Sequence, residues 1–473
     1  MLAKMISGAA RRVSAGRAFH VSAPSLSRTS STLLPHPDEP PAEALARLKV
    51  KSVLFSWTDL FGKMRSKMVP ASAAPSVAKN GGGFAGFAAH LDLQPSHPDV
   101  LAYPDWKTLC VLPWNRDVAW VACDLDMGGS ELKQSPRRAL KNVMKALQDQ
   151  HGLIYKTGVE LEFHLLSAAQ ADRLADPNDT STKPCYATEP LMRQYPLIST
   201  VMQYMEELAW GPYQADHEDS IGQFEINWDF NDALTTADRH VFYKWMVREV
   251  AAREGMIATF MPKPFAHLTG NSAHVHVTLH DEKDGSNVFK GSEVLGLSKT
   301  ALNFCGGLLD HARGMTCFTN PTVNSYKRIC SAPTLSGSSW SPETVSWTGN
   351  NRTHMVRVPD APRLEMRLPD ASANAYLMPA ALLAGGMAGM AAKSDPGPPS
   401  QINTYEDGKG KGKGRETLPL LLSEALKALQ EDAVLRSAMG EEVCEAYINL
   451  KRSQWLDYCR TMSKWEVDNT LDA

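Results

Sequence analysis

Residues 158–166 alternate strictly, with Val159, Leu161, Phe163 and Leu165 on one side and Glu160, Glu162 and His164 on the other. Side chains two apart along a strand point the same way, so this pattern predicts a strand with an apolar core side and two carboxylates on the other. Three further stretches repeat it. Gln223, Glu225 and Asn227 oppose Phe224, Ile226 and Trp228; His274, His276 and Thr278 oppose Val275, Val277 and Leu279; Arg363, Glu365 and Arg367 oppose Leu364, Met366 and Leu368. Solvent-facing strands usually mix Lys, Thr and Ser, whereas these faces carry almost only Glu, His, Arg, Gln and Asn. Four such strands predict one antiparallel sheet curved around a charged cavity.

Elsewhere the pattern is simpler. Residues 50–69 read as a β-hairpin, with strands expected at 109–112 and 118–125. Residues 81–87 (Gly-Gly-Gly-Phe-Ala-Gly-Phe) read as a flexible structural loop, because no Lys-Ser/Thr follows to make a phosphate-binding loop. A helix is expected from Ser135-Pro136 to Gln148, with serine at the cap and proline in the first turn. It divides a small, mostly β unit, 45–135, from a large α+β unit, 136–473. Further helices are expected at 191–208, 238–255, 418–430 and 441–465. Residues 35–41 read as an extended linker, and the Gly-Lys repeat at 408–415 as a mobile basic surface insertion. The uncharged stretch 375–392 is about long enough to span a bilayer. Its Ala/Gly content and Pro379 favour a closely packed buried helix.

Composition is that of a globular protein: 473 residues, 43% apolar, 21% charged, formal net charge −3. No global field draws such a chain to nucleic acid. The first 37 residues differ in kind. They hold Lys4, Arg11, Arg12, Arg17 and Arg28, many serines and no acid, the composition of an organelle transit peptide. A mitochondrial location follows as the expectation, with another organelle or the cytoplasm as alternatives. Without that stretch the net charge falls to −8. The eight cysteines form no C-x-x-C pair, which argues against a zinc site or a disulfide framework.

Two glutamates side by side repel unless a cation lies between them or one is protonated. The alternating faces, together with Glu218, collect Glu160, Glu162, Glu218, Glu225, His274 and Glu365. Oxygen-dominated ligands with one imidazole suit Mg2+ or Mn2+, and five carboxylates exceed what one such ion usually takes. Arg328, Arg352, Arg357, Arg363 and Arg367 belong to the same unit. Divalent ions opposite an arginine cluster are what phosphoryl transfer requires, since both neutralise the moving charge.

Several ordered segments then resemble the glutamine synthetase family, in its bacterial-type (class I and type III-like) branch: Gly158-Val-Glu-Leu-Glu-Phe163, Gly222-Gln-Phe-Glu-Ile226, Phe260-Met-Pro-Lys-Pro264 leading to His274-Val-His276, residues 320–328, Asn351-Arg352, and residues 363–370. The resemblance implies a small β-grasp-like N-terminal domain and a catalytic domain with a funnel-shaped active site. It also implies a homo-oligomer of stacked rings whose sites are completed between subunits. Glu162, Glu218 and Glu225 would hold one metal, and Glu160, His274 and Glu365 another. Arg352, Arg357 and Arg363 would meet the ATP phosphates and the transferred group, with His276 and Thr278 by the nucleotide. Arg328, Arg367 and Gly270 would serve the glutamate, and Arg352 and Glu365 the chemistry. The implied reaction phosphorylates the side-chain carboxylate of L-glutamate with ATP, after which ammonia or a primary amine displaces phosphate.

Departures from the family pattern bear on the nitrogen donor. Ammonia-specific members carry Asp-Gly-Ser-Ser in the small domain; here the segment is Phe84-Ala-Gly-Phe-Ala88, with Ala85 in the Asp position. The flap Glu of those members corresponds to Thr334. Ammonium has no handle except its charge, so losing both carboxylates weakens its site and favours an alkylamine. This pattern is similar to that of the branch containing type III glutamate–ammonia ligases and γ-glutamylmethylamide synthetases. Ser272 replaces a Gly before His274 and would crowd the glutamate pocket, while Ala375 replaces a structural Pro. A non-catalytic descendant would show eroded ligands, yet all six positions hold Glu or His. A glycosidase pair would set its carboxylates on opposite sides of the substrate, which adjacent strand positions fit poorly.

Overall fold

The computed structural model describes residues 33–332, 334–359, 362–404 and 416–472. Most of the predicted transit segment, and the Gly-Lys repeat, lie outside the described residues. Residues 33–37 pack on the N-terminal unit: Leu33 is buried and its carbonyl accepts from Val111 N. The stretch read as an extended linker is a turn, His36 to Glu39, running into the helix Pro41–Arg47. Arg47 closes it by a two-pronged bond to Glu39, at 2.7 Å to each oxygen.

The N-terminal sheet comprises β1 (Ser52–Thr58), β2 (Met64–Pro70), β3 (Gly82–Phe84), β4 (Val100–Pro104), β5 (Cys110–Leu112), β6 (Asn115–Met127) and β7 (Ser130–Glu131). Its order is β2-β1-β6-β4-β3, with β5 and β7 also on β6. β1 and β2 form the expected hairpin, Ser52 facing Pro70, and β1 runs parallel to β6. The glycine-rich stretch is not a flexible loop but β3 followed by a 3-10 turn, Gly86–Ala89. Its glycines serve close packing. A Cβ on Gly81 would lie 2.7 Å from the Leu101 side chain, and one on Gly86 2.3 Å from Leu93.

The helix Pro136–His151 joins the two units. Ser135 occupies its cap position, but the hydroxyl makes no capping bond. Arg137, 3% exposed, binds Asp105 and Asp124 of the small unit and Asp238 of the large one, each at 2.9 Å. A buried guanidinium needs this many acceptors to offset its lost hydration.

The large unit is built on β8 (Leu153–Ser167), β9 (Pro212–His217), β10 (Gln223–Trp228), β11 (Asn231–Asp232), β12 (Met256–Thr259), β13 (Ala273–Asp281), β14 (Trp347–Thr348), β15 (Val356–Arg357) and β16 (Leu364–Met366). The order is β14-β15-β16-β13-β8-β10-β9, with β11 and β12 also on β8. The sheet is antiparallel as expected, except that β14 and β15 run parallel. β8 is the axis. β13 and β11 flank its first part, β10 and β12 its second. That change of neighbours curves the sheet, and Val159, Leu161, Phe163 and Leu165 are all buried on its core side.

Helix limits differ from the pattern where a local signal intervenes. The span 191–208 is two helices, Thr188–Arg193 and Tyr195–Glu207, the second with proline in its first turn. The span 441–465 breaks after Arg460, and Ser463 starts Lys464–Thr470 with a capping box to Glu466. Asp232 caps Ala233–Arg253 through Thr235 N, so that helix begins earlier than its apolar period. Leu377–Ala392 is buried and packs on Lys299–Asp310. No described helix is long and apolar enough to cross a membrane.

Candidate active site

The polar side of β8 is graded. Glu160 is partly exposed, Glu162 is buried, and His164 is fully enclosed, bonded to Asn271 and Ser220 at 2.8 Å each. His164 therefore belongs to the structure behind the site. Register supplies the neighbours: Glu225 on β10 faces Glu162, His274 on β13 faces Glu160, and Glu365 on β16 faces His276.

Glu218 comes from the turn between β9 and β10. That turn is set by Asp179, whose Oδ2 accepts from Gly222 N at 2.6 Å and lies 2.7 Å from His217 Nε2. Gly222 takes a φ of +68° there, a conformation natural to glycine. Gln223 Nε2 donates to Glu162 Oε2 at 3.0 Å, and Ser272 N donates to the same oxygen at 2.6 Å.

All six predicted ligands converge. Ligand atoms of Glu162, Glu218 and Glu225 lie within 4.8 Å of one another, and so do those of Glu160, Glu225 and His274 and of Glu160, His276 and Glu365. The first set is the predicted trio. The other two divide the second predicted set and bring in His276, which bonds Glu160 Oε1 at 2.9 Å. The donor chemistry fits a divalent cation. His274 Nε2 is buried and has no hydrogen-bond partner among the described residues, so it is left to coordinate.

Charge is unevenly compensated. Burial, then the neighbouring carboxylates, raise Glu218 and Glu225 well above the usual carboxylate range. Burial lifts Glu162 to about 7 against the opposing pull of Ser272 N–H, Arg328 and Arg367. At Glu160 burial pushes upward, but bonds to His274 and His276 win and hold it well below the usual value. Burial also pushes Glu365 upward, yet the charges led by Arg367 bring it to about 2. Negative charge on Glu162, Glu218 and Glu225 is thus disfavoured by their burial, while Glu365 is already paired with Arg357 and Arg367.

The arginines occupy distinct places. Arg357 and Arg367 both bind Glu365, the second at 2.5 Å. Arg363 Nε donates to His276 Nδ1 at 3.1 Å. Arg328 is buried and donates to Leu368 O at 2.9 Å and to Ser272 Oγ at 3.0 Å. Ser272, expected to crowd the glutamate pocket, thus takes up a donor of the arginine assigned to glutamate. Arg352 is exposed, and its carbonyl accepts from Arg367 Nε. Gly270 lies where a Cβ would meet Pro262 O at 2.2 Å. Beside the carboxylates a cavity of about 300 Å3 is lined by Glu160, His276, Thr278, Arg363, Tyr213 and Phe230.

Tyr213, Phe230 and Asp219 were not predicted. The two aromatics fall outside the alternating face, so no period marks them. Asp219 Oδ2 accepts from Thr269 Oγ1 at 2.7 Å and from the Ser336 hydroxyl. Thr334, whose hydroxyl reaches Ser338 O, is anchored through this cluster.

Comparison with known proteins agrees with this geometry. The family model for the glutamine synthetase catalytic domain matches residues 133–470. A glutamine synthetase of Rhizobium meliloti (strain 1021) is 48% identical over 425 residues, covering 90% of this chain and 97% of the relative. A glutamate–methylamine ligase of Methyloversatilis universalis is 40% identical over 443 residues, covering 91% and 99%. The solved GmaS/ADP complex superposes with a TM-score of 0.88 at 48% identity, covering 92% of this chain and 100% of that one. The chain belongs to the glutamine synthetase family and is a carbon–nitrogen ligase of that type, dependent on ATP and a divalent metal.

Proposed function

We propose that the protein transfers the γ-phosphoryl group of ATP to the side-chain carboxylate of L-glutamate and amidates the product with ammonia or a small primary amine. The observation that carries this reading is the convergence of Glu160, Glu162, Glu218, Glu225, His274, His276 and Glu365 beside the cavity holding Arg363. Mg2+ or Mn2+ bound by these groups would neutralise charge on the phosphoryl group in transit. Glu162, Glu218 and Glu225 would hold one ion, and Glu160, His274 and Glu365 another. Arg363, fixed by His276, and Arg357, fixed by Glu365, would meet the phosphates together with Arg352. Arg328, Arg367 and Gly270 serve the glutamate end. The amine nitrogen then attacks the γ-carbonyl carbon, phosphate leaves, and the nitrogen gives up a proton.

A second reading is a γ-glutamylalkylamide synthetase with little ammonia activity. Ala85, Phe87 and Ala88 are exposed and offer an apolar surface where ammonia-specific relatives place a carboxylate. We further propose stacked rings in which this segment completes a neighbour's site, and, from its Arg- and Ser-rich, acid-free composition, an organelle-targeting role for the stretch ahead of Leu33, which itself packs on the N-terminal unit. Assays with ATP, Mg2+ or Mn2+, glutamate and either ammonia, methylamine or longer amines test the chemistry. Mass spectrometry of the product should find ammonia or methylamine incorporated. Methylamide formed with little glutamine selects the second reading. Glutamate-dependent phosphate release with no amine incorporated would overturn both.

A further inference from the structure

A separate cavity, about 960 Å3, lies between the β1–β2 turn, the helix Ala233–Arg253, the end of β12 and the helix Glu441–Arg460. Its lining includes Lys63, Arg65, Lys244, Arg248 and Lys451, and no Asp or Glu. Arg65 is neutralised by Asp59 at 2.8 Å. The other four form no ion pair with a carboxylate among the described residues, although Asp370 acts on Lys244 and Asp59 and Asp370 act on Lys451 from further away. Lys244 Nζ donates only to a carbonyl, Ala371 O at 2.6 Å. Lys451, 2% exposed, reaches Gln454 Oε1 at 3.1 Å and lies 4.8 Å from the Phe61 ring centre. Arg248 sits over Phe260 at 5.0 Å. Burial pushes Lys244 down to about 7 and Lys451 to about 8.

His240 is the independent sign of a missing partner. It is 1% exposed, lines the cavity, and neither ring nitrogen has a hydrogen-bond partner among the described residues. An imidazole always carries at least one N–H, and a buried donor without an acceptor is rare in native proteins. Lys244 and Lys451, without an ion pair among the described residues, and an orphaned imidazole around one space call for an anion with several acceptor oxygens, and the exposed Lys63 and Arg248 add to the positive lining. The aromatic walls, Phe61, Trp245 and Phe260, leave room for an organic body.

We propose that this cavity is a second ligand site, distinct from the carboxylate site, that binds a small polyanion carrying phosphate or several carboxylates. Its wall adjoins the catalytic one. Asn271 Nδ2 donates to Thr259 O at 3.3 Å and to Met261 O at 2.8 Å, and Asn271 Oδ1 accepts from Gln223 Nε2, which also holds Glu162.

The test is calorimetric titration of the full chain, without metal or nucleotide, with inorganic phosphate and citrate in separate arms. At least one should bind with a Kd of about 1 mM or tighter, and which one does distinguishes the two anion classes. Arg248→Ala and His240→Leu should each weaken that binding about tenfold while ligase turnover persists. Arg363→Ala, in the catalytic cavity, should leave it unchanged. Arg248 is exposed and His240 has no hydrogen bond to lose, so both variants should fold, as circular dichroism checks; if His240→Leu does not, Arg248→Ala decides. Failure of both probes to bind, or binding untouched by the cavity variants, or binding lost in Arg363→Ala, would each overturn the proposal.

Discussion

Glu162, Glu218 and Glu225 are all raised above the usual carboxylate range when no cation is bound, Glu162 by burial and the other two by burial and then by the neighbouring carboxylates. The sign of the pH effect follows. A carboxyl raised on folding contributes stability in full below its unfolded value, and that contribution is lost as pH rises through the folded one. For Glu162 the window runs from 4.5 to about 7. A divalent cation takes the ionised trio and reverses the loss. The rise in melting temperature on adding Mn2+ should therefore be clearly larger above this window than within it, and equal rises at both would contradict the reading. Glu365, at about 2, stays ionised throughout. At this scale the alternation revealed Glu160, Glu162, Glu225, His274 and Glu365, because period two is local. Glu218 lies in the turn after β9, outside every alternating face, so no period marks it. The bond from His276 to Glu160 joins positions 116 apart, and nothing local encodes it.

Among the elements, the contact between Leu377–Ala392 and Lys299–Asp310 depends on side chains that are absent. A Cβ on Gly389 would lie 2.3 Å from Asn303 O and 2.4 Å from Gly307 N. Alanine is the better helix former by about 1 kcal/mol, yet here it would force the helices apart. Gly389→Ala should lower the unfolding free energy by about 1–3 kcal/mol, the usual range for overpacking, as read from the urea midpoint. A midpoint unchanged or raised would show that the helices are not in such close contact. The same glycines made the segment legible as a close-packed helix rather than a membrane span. The long strands β8, β10 and β13 were legible from their period. β14 and β15, two residues each, are too short to have one, and their parallel pairing depends on partners distant in sequence. The glycine-rich stretch misled because glycine reports permitted backbone freedom, whereas here it reports the nearness of Leu101 and Leu93.

At the scale of the whole molecule, the two units meet at Arg137 and its three aspartates, and the catalytic sheet curves about β8. The proline-started helix at 136 was legible in the sequence; the ionic seam that Arg137 makes from it was not, because its aspartates come from three separate segments. The central claim is that the charged faces of four strands, with the β9–β10 turn, form cation sites for the ligase chemistry. Counting Mn2+ bound per subunit at saturation, by equilibrium dialysis, tests it most directly. The account predicts about two ions in the wild-type protein and about one fewer in Glu162→Ala, whose circular dichroism should remain native. No saturable Mn2+ binding in the wild type, or an unchanged count in a folded Glu162→Ala, would contradict it.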